Sequence, residues 1–312
     1  MPDGIRHSAL WLSESYKSVN TPTADEALNA ADVAAAAQLA CLLEASAPKP
    51  GNVSPGRHFV DARYEDFLAS AVAIGEPIRH AGTRRVGATV RLAVESTARW
   101  TRTNTNLGMV LLLTPIACAA LRESVQDLRG ALRRVLEATT IDDARDVYAA
   151  IRCASPGGLG RADSQDVAGE PTMSLLDVMR LAAHRDGVAR EYATSFEVTF
   201  EAGVPALERA RRDGLTWDDA VVETFLTLLA ATPDTHVVRR SGEAAAAHVS
   251  NLARAVLDAG GVRSDKGRRA AEEMDRALRE PRHQGNPGTT ADLTAAAIFV
   301  LLLHGGFDAA PR

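Results

Sequence analysis

One short signature recurs along this chain: a hydroxyl residue, two spacers and an acid, set just ahead of an apolar pattern of helical period. It stands at Thr23-Ala-Asp-Glu26, Ser124-Val-Gln-Asp127, Thr140-Ile-Asp-Asp143, Ser174-Leu-Leu-Asp177 and Thr216-Trp-Asp-Asp219. In such a box the hydroxyl accepts from the amide three residues on, while the acid reaches back to the amide of the cap. Two donors that a helix start leaves without partners are thereby satisfied. After Asp127, for example, come Leu128, Leu132, Val135 and Leu136, which share one helical face. Five capped helix starts are hard to reconcile with a β fold. Composition agrees: aromatics are 4% of the 312 residues, and alanine runs occur at Ala34 to Ala37 and Ala244 to Ala247. Alanine favours helices, whereas sheets draw on aromatic and β-branched residues.

The box at Thr23 predicts a helix running to about Ala45. Further helices are predicted near Glu65 to Ile74, Val86 to Trp100, Leu107 to Arg122 and Val188 to Phe200. Three more are expected near Glu243 to Leu257, Lys266 to Leu278 and Thr290 to His304. No segment shows strand alternation bounded by turn signals. The expected fold is all-α: a loose arm over residues 1–22, then a single compact multi-helical domain over 23–312.

Charge and apolar runs exclude some classes of function. Lys plus Arg number 35 and Asp plus Glu 40, a net charge of −5. That argues against a general nucleic-acid binder, which carries a basic excess. The uncharged stretch Thr103 to Leu121 is interrupted by Asn104, Asn106, Gly108 and Pro115. Ala296 to Leu303 falls far short of the ~20 residues that a span needs, so no membrane segment is expected. Cys41, Cys118 and Cys153 have no CxxC spacing. Neither a zinc site nor a disulfide scaffold is supported, and a reducing cytoplasm is the expected compartment.

Four breaks between helices carry residues suited to chemistry. In Glu44-Ala-Ser-Ala-Pro-Lys-Pro-Gly-Asn52 two prolines stiffen the chain around Lys49, and Gly51 frees the backbone. This is a plausible phosphate cradle or, as plainly, a helix terminator with a solvated lysine. Asn104-Thr-Asn-Leu-Gly108 leads into a strongly apolar helix, whose first amides suit phosphate or carboxylate. One cap needs one such residue, so three polar residues leave two unexplained. Asp234-Thr-His-Val-Val-Arg-Arg-Ser-Gly242 gathers a carboxylate, an imidazole and two guanidiniums, the groups for bidentate phosphate binding. Taken singly, it reads as a surface loop, and His236 as structural. Asn286-Pro-Gly-Thr-Thr-Ala-Asp292 offers Thr289, Thr290 and Asp292 at the start of the last apolar helix, where capping is the simpler explanation.

Together these breaks resemble one family, the triphosphoribosyl-dephospho-CoA synthases. The matching residues are Glu44 with Pro48-Lys49-Pro50-Gly51, then Asn104-Thr105 with Gly108. Pro156-Gly-Gly-Leu-Gly160, Asp166-Val167 and Arg185-Asp186 follow. Last come Asp234-Thr235 with Arg240 and Gly242, and Asn286-Pro287-Gly288 with Ala291-Asp292-Leu293. The ordered set covers roughly Ala27 to His304.

The resemblance implies an all-helical enzyme that uses ATP as a ribosyl donor. The 2′-hydroxyl of 3′-dephospho-CoA displaces adenine from C1 of the ATP ribose, and magnesium accompanies the triphosphate. Such a reaction needs carboxylates near the sugar, a general base for the hydroxyl, and cations with helix-start amides for the phosphates. Glu44 and Asp234 are the expected catalytic residues, with Glu44 the base. Asp186, Asp234 and Asp292 are the expected metal ligands. Lys49, Gly51, Asn52, Asn104, Thr105, Asn106, Arg185, Arg240, Asn286, Thr289 and Thr290 are expected to bind substrate. A homodimer is compatible with this picture.

The sequence also departs from the synthase pattern. Asn106 and Leu107 stand where those enzymes usually carry His and Lys. Gly56-Arg-His58-Phe-Val-Asp61 replaces a Gly-Ala-His-x-Asp-Met stretch, and Val238-Arg239-Arg240-Ser241-Gly242 replaces Leu-His-Arg-Gly-Gly. Arg57 and Arg239 are candidates to restore the lost charge. The departures leave three alternatives open. One is another nucleotide or acceptor, in the biosynthesis of one-carbon carrier cofactors of the tetrahydromethanopterin or methanofuran type. The others are an N-glycoside hydrolase and a non-catalytic nucleotide-binding protein.

Overall fold

Of the five predicted boxes, one forms in full and two form their hydroxyl half. Thr140 accepts from the Asp143 amide while Asp143 receives the Thr140 amide, and Ser174 and Thr216 accept from the amides of Asp177 and Asp219. The computed structural model describes residues 28–123, 125–158, 160–279 and 285–308. The expected arm, the box at Thr23 and the hydroxyl of Ser124 lie outside them. The first described helix starts at Ala30, where Asn29 accepts from the Ala31 and Asp32 amides. Downstream of Ser124, Asp127 is itself the cap, accepting from Gly130.

In chain order the helices are α1 (Ala30–Ser46), α2 (Tyr64–Ala73), α3 (Gly75–Arg79), α4 (Val86–Ala98) and α5 (Leu107–Arg122). Then come α6 (Leu128–Glu137), α7 (Ile141–Ala154), α8 (Leu175–Ala182), α9 (Gly187–Thr194) and α10 (Val204–Arg212). The last five are α11 (Trp217–Ala231), α12 (Thr235–Ser241), α13 (Glu243–Asp258), α14 (Asp265–Arg279) and α15 (Gly288–Leu303). Among the described residues the sole β pairing is an isolated bridge between Ser54 and Arg57. The fold is all-α, as expected.

Helices α5 and α15 are the centre. Almost every residue of each is buried, so neither has a polar face, and a helix apolar all round belongs inside a core. They pack on one another, α1 lies against both, and α11 against α15. One apolar core runs through the described chain, from Val33 to Leu303.

Pro115 sits in the middle of α5 and cannot donate to the carbonyl of Leu111. The Tyr192 hydroxyl of α9 donates to that carbonyl instead, at 2.7 Å. Burial pushes the phenol pKa up, which keeps it a donor.

The helix expected over Val188 to Phe200 is interrupted. Ser195 and Phe196 take left-handed φ of 53° and 59°, and a π-helical turn, Thr199–Gly203, leads into α10. The cause is Glu191, which is fully buried. Its carboxylate accepts from the amides of Val198 (3.0 Å) and Thr199 (2.9 Å), taking the place of helix carbonyls. The segment from Asp234 to Gly242, which read as a surface loop, is the short helix α12. Asp234 caps it and Gly242 (φ 87°) ends it.

Candidate active site

Four helix starts meet around one cavity of about 1080 Å³: α5 at Leu107 and Gly108, α9 at Asp186 and Val188, α12 at His236, and α15 at Gly288 and Thr289. Side-chain caps already take the amides of Leu107, Ala189, His236, Val237 and Thr290, but each start still turns the positive end of a helix dipole toward the cavity, which favours an anion. The opposite character is supplied by Leu111, Val147, Ile151, Leu175, Val178 and Met179, which form an apolar wall of the same cavity.

Glu44 lies near the end of α1 and lines this cavity while only 3% exposed. Burial pushes its carboxyl above the usual range, and Lys49 pulls it back. The Lys49 ammonium stands 3.0 Å from Glu44 Oε1. It also donates to the carbonyls of Ala47 (3.2 Å) and Glu44, the last at short range. Lys49 is fully buried and does not line the cavity. This corrects the expectation that it grips phosphate: its donors are spent on Glu44 and Ala47, and its charge opposes the upward shift that burial gives Glu44.

Gly51 also stays outside the cavity. Its φ is +77°, and a Cβ there would meet Leu278 at 2.9 Å and Pro287 at 3.2 Å, so the turn needs glycine for both conformation and space. Asn52, the next residue, does line the cavity. Arg57 turns toward Asp275 (3.3 Å) and restores no charge to the cavity.

The three acidic candidates for metal differ sharply in what their oxygens already do. Asp234 is 2% exposed and is not in the cavity lining. Its Oδ1 accepts from the amides of His236 (2.8 Å) and Val237 (3.1 Å). Its Oδ2 accepts from the Thr290 amide and hydroxyl, both at 2.7 Å. Four donors saturate the carboxylate, so Asp234 and Thr290 form a clasp between α12 and α15. The catalytic and metal roles expected of Asp234, and the substrate contact expected of Thr290, are corrected accordingly. Asp186 does line the cavity; it caps α9 through Ala189 (2.9 Å) and pairs closely with Arg239.

Asp292 alone is free, for no hydrogen bond from a described residue reaches it. It lines the cavity against the first turn of α5, where a Cβ on Gly108 would stand 1.9 Å from its Oδ2. Burial raises its pKa well above the ordinary value. Glu44 and Asp234 add to the rise, Asp186 adds less, and Arg239 opposes it. Among the described residues no three His, Cys, Asp or Glu side chains gather as a complete metal cage. Magnesium needs no such cage, because it retains waters and takes substrate phosphates as ligands. An unpartnered carboxyl pressed by like charges fits that use, and Asp292 is the residue that would hold the ion.

The remaining candidates divide in the same way. Asn104, Thr105 and Asn106 all line the cavity. Asn104 accepts from the Leu107 amide (3.0 Å), Thr105 bonds the Ser70 hydroxyl, and the Asn106 amide reaches Thr97 (3.3 Å) and the Ser70 carbonyl (3.4 Å). The two residues that capping left unexplained therefore fasten the α4–α5 connection to α2 and α4. Asn286 lines the cavity with its Oδ1 enclosed and unpaired. Thr289 lines it too, bonding Thr235 (3.1 Å). Arg185 and Arg240 are exposed to the cavity, and no described side chain hydrogen-bonds or pairs with either at close range.

Two cavity groups were underrated in the sequence. Arg102 lines the mouth two residues before the Asn104 motif, and that adjacency was the one available signal. His236 faces the cavity with Nδ1 3.0 Å from the Asn286 carbonyl. Burial lowers its pKa, so the ring is neutral; it donates from Nδ1 and leaves Nε2 an acceptor.

Comparison with known proteins follows the same lines. A protein of Archaeoglobus fulgidus, solved as a candidate triphosphoribosyl-dephospho-CoA synthase, superposes with a TM-score of 0.63 at 29% identity. It covers 78% of this chain and 99% of its own. A relative from Pseudomonas paraeruginosa is 38% identical over 115 residues, which is 36% of this chain and 39% of the relative. One from Stutzerimonas stutzeri is 34% identical over 150 residues, 47% of this chain and 50% of the relative. Both are named as a probable 2-(5''-triphosphoribosyl)-3'-dephosphocoenzyme-A synthase. The matched stretch thus spans half or less of each curated relative. The profile of one family, described as ATP:dephospho-CoA triphosphoribosyl transferase, matches residues 30–310. By a match over nearly its whole length, the chain belongs to that family.

Proposed function

We propose that this protein transfers the triphosphoribosyl group of ATP to the 2′-hydroxyl of 3′-dephospho-CoA, or of a closely related acceptor, with release of adenine. One observation carries the reading. A buried carboxylate, Glu44, opens on a cavity whose lining combines free arginines and helix starts with a group of apolar side chains. At about 1080 Å³ the cavity exceeds the ~300–1,000 Å³ typical of single-ligand pockets, which suits two substrates.

The triphosphate is held by Arg185, Arg240 and the positive ends of α5 and α15. Asp292, with phosphate oxygens, would hold magnesium, which would supply charge neutralisation there. Glu44 accepts the proton of the acceptor hydroxyl as its oxygen bonds C1 of the ribose. The C1–N9 bond breaks, its electron pair leaves with adenine, and a proton restores the neutral base. Burial makes the Glu44 carboxylate more basic than an exposed one, which favours a general base, and the Lys49 ammonium 3.0 Å away opposes that rise. Asp186 and Asp292, which line the same cavity, are the carboxylates available to stabilise cationic character on the sugar. The free thiols of Cys41, Cys118 and Cys153 suit a reducing cytoplasm.

Incubation with ATP, magnesium and dephospho-CoA, with adenine measured, tests the reaction. Adenine that appears only with acceptor supports transfer, while adenine without acceptor makes the protein a hydrolase. Glu44→Gln is expected to bind nucleotide normally and to turn over ~10²-fold more slowly, the usual size of a lost acid–base group. Normal turnover in that variant removes Glu44 from the base role.

A further inference from the structure

We infer that Asp275 and Arg279 of α14 are positioning residues for the reaction, because together they hold the Lys49–Asn52 turn that sets the charge beside Glu44. The inference rests on the reading of Glu44 as the base.

The turn has little to hold it in place by itself. Pro48 and Pro50 have no amide to donate, and Gly51 is left-handed. Its local bonds are from the Lys49 amide to Ala47 (2.8 Å), from the Asn52 amide to Lys49 (3.1 Å), from the Asn52 side-chain amide to Pro50 (3.4 Å) and from the Lys49 ammonium to Glu44 and Ala47. Two further bonds to its backbone come from α14, more than 220 residues away. Asp275 Oδ1 accepts from the Gly51 amide at 2.8 Å. Arg279 donates from Nη2 to the Asn52 carbonyl at 2.6 Å and from Nε to Asp275 Oδ2 at 2.9 Å. A donor and an acceptor of the turn are therefore met by two side chains that also bond each other. Asp275 is 6% exposed, and Arg57 approaches its Oδ2 at 3.3 Å.

The consequence reaches the cavity through Lys49. The ammonium that stands 3.0 Å from Glu44 is anchored by this turn, and Asn52, at its end, lines the cavity. Loosening the turn displaces the Lys49 ammonium from its place beside Glu44. The groups assigned to the triphosphate lie on α5, on α12, on α15 and between α8 and α9, and neither Asp275 nor Arg279 hydrogen-bonds them. Turnover is therefore expected to fall while nucleotide binding holds.

Two variants test this. Arg279→Lys keeps a charge but cannot span both Asp275 and the Asn52 carbonyl, and Asp275→Ala removes the acceptor. The measurements are amide hydrogen exchange over residues 48–53, melting temperature, and kcat and KM for ATP in adenine release. Expected in both variants are exchange faster by ~10-fold or more in that segment and kcat lower by ~10-fold or more. KM for ATP should stay within about twofold. Arg279→Lys should melt within a few degrees of the wild type. Unchanged exchange in both variants overturns the inference. So does faster exchange with full kcat. If the wild type releases no adenine, the proposed reaction fails and the positioning role falls with it. Exchange then reports separately whether the pair holds the turn.

Discussion

Replacing Gly108 with alanine is a sharp probe of the cavity, because one methyl group meets one carboxylate. The added Cβ would lie 1.9 Å from Asp292 Oδ2 and 2.4 Å from its Cγ, where ordinary contact begins at 3.4 Å. The carboxyl must therefore withdraw by about 1.5 Å. Moving it off its rotamer costs ~0.5–1.5 kcal/mol, and crowding a packed site costs ~1–3 kcal/mol. Alanine returns up to ~1 kcal/mol of helix propensity within α5. The net loss is about 0.5–4.5 kcal/mol, a fall of roughly 1–10 °C in melting temperature. The functional cost is of another size, because a ~1 Å misplacement of a reacting or metal-holding group lowers turnover by ~10²-fold. The assay pairs thermal unfolding with adenine release across a magnesium titration. The expected variant is folded, slow, and in need of more magnesium. Wild-type turnover with an unchanged magnesium requirement would show that the position of Asp292 does not matter, and the metal assignment would fail.

Asp292→Asn is expected to stabilise the fold in magnesium-free buffer at neutral pH. A carboxyl whose folded pKa is raised binds its proton more tightly when folded, so its contribution to stability declines as pH rises from the unfolded value of ~3.9 through the folded value. The advantage of the variant should thus vanish near pH 4 and grow toward pH 8; melting curves that stay parallel across that range refute the assignment. Asp234→Asn should destabilise, because the new amide donor faces the Thr290 amide at 2.7 Å and leaves it unpaired. The expected loss is ~1–3 kcal/mol by urea denaturation, and a loss under ~0.5 kcal/mol would dissolve the clasp.

What the sequence disclosed and what it withheld follow the range of the interactions involved. Caps are local, so Thr140, Ser174 and Thr216 announced their helices within four residues. The apolar runs of α5 and α15 announced themselves by composition, and α5 spans the predicted residues, Leu107–Arg122. The polar breaks come together in space: Glu44, Asn104, Arg240, Asn286 and Asp292 all line a single cavity. What sequence could not assign was which partner each charge takes. Lys49 reads as a free cation and is consumed by Glu44; Asp234 reads as a ligand and is consumed by Thr290, 56 residues on. Glu191 could not be seen to break its own helix, because its effect depends on complete burial. Asp275 lies in a helix whose charges look like an ordinary solvated face, and its role exists only through Gly51.

The bond from Tyr192 to Leu111 ties two distant positions into one inherited unit. While the proline remains at 115, phenylalanine at 192 strands a buried carbonyl; once a residue with an amide hydrogen stands at 115, the hydroxyl has nothing left to mend. Drift can pass in one order only: the ring at 115 must go first and the phenol second. The pairing thus acts as a ratchet on how this part of the protein can change over generations. Related chains with phenylalanine at the position of Tyr192 should already have lost the proline.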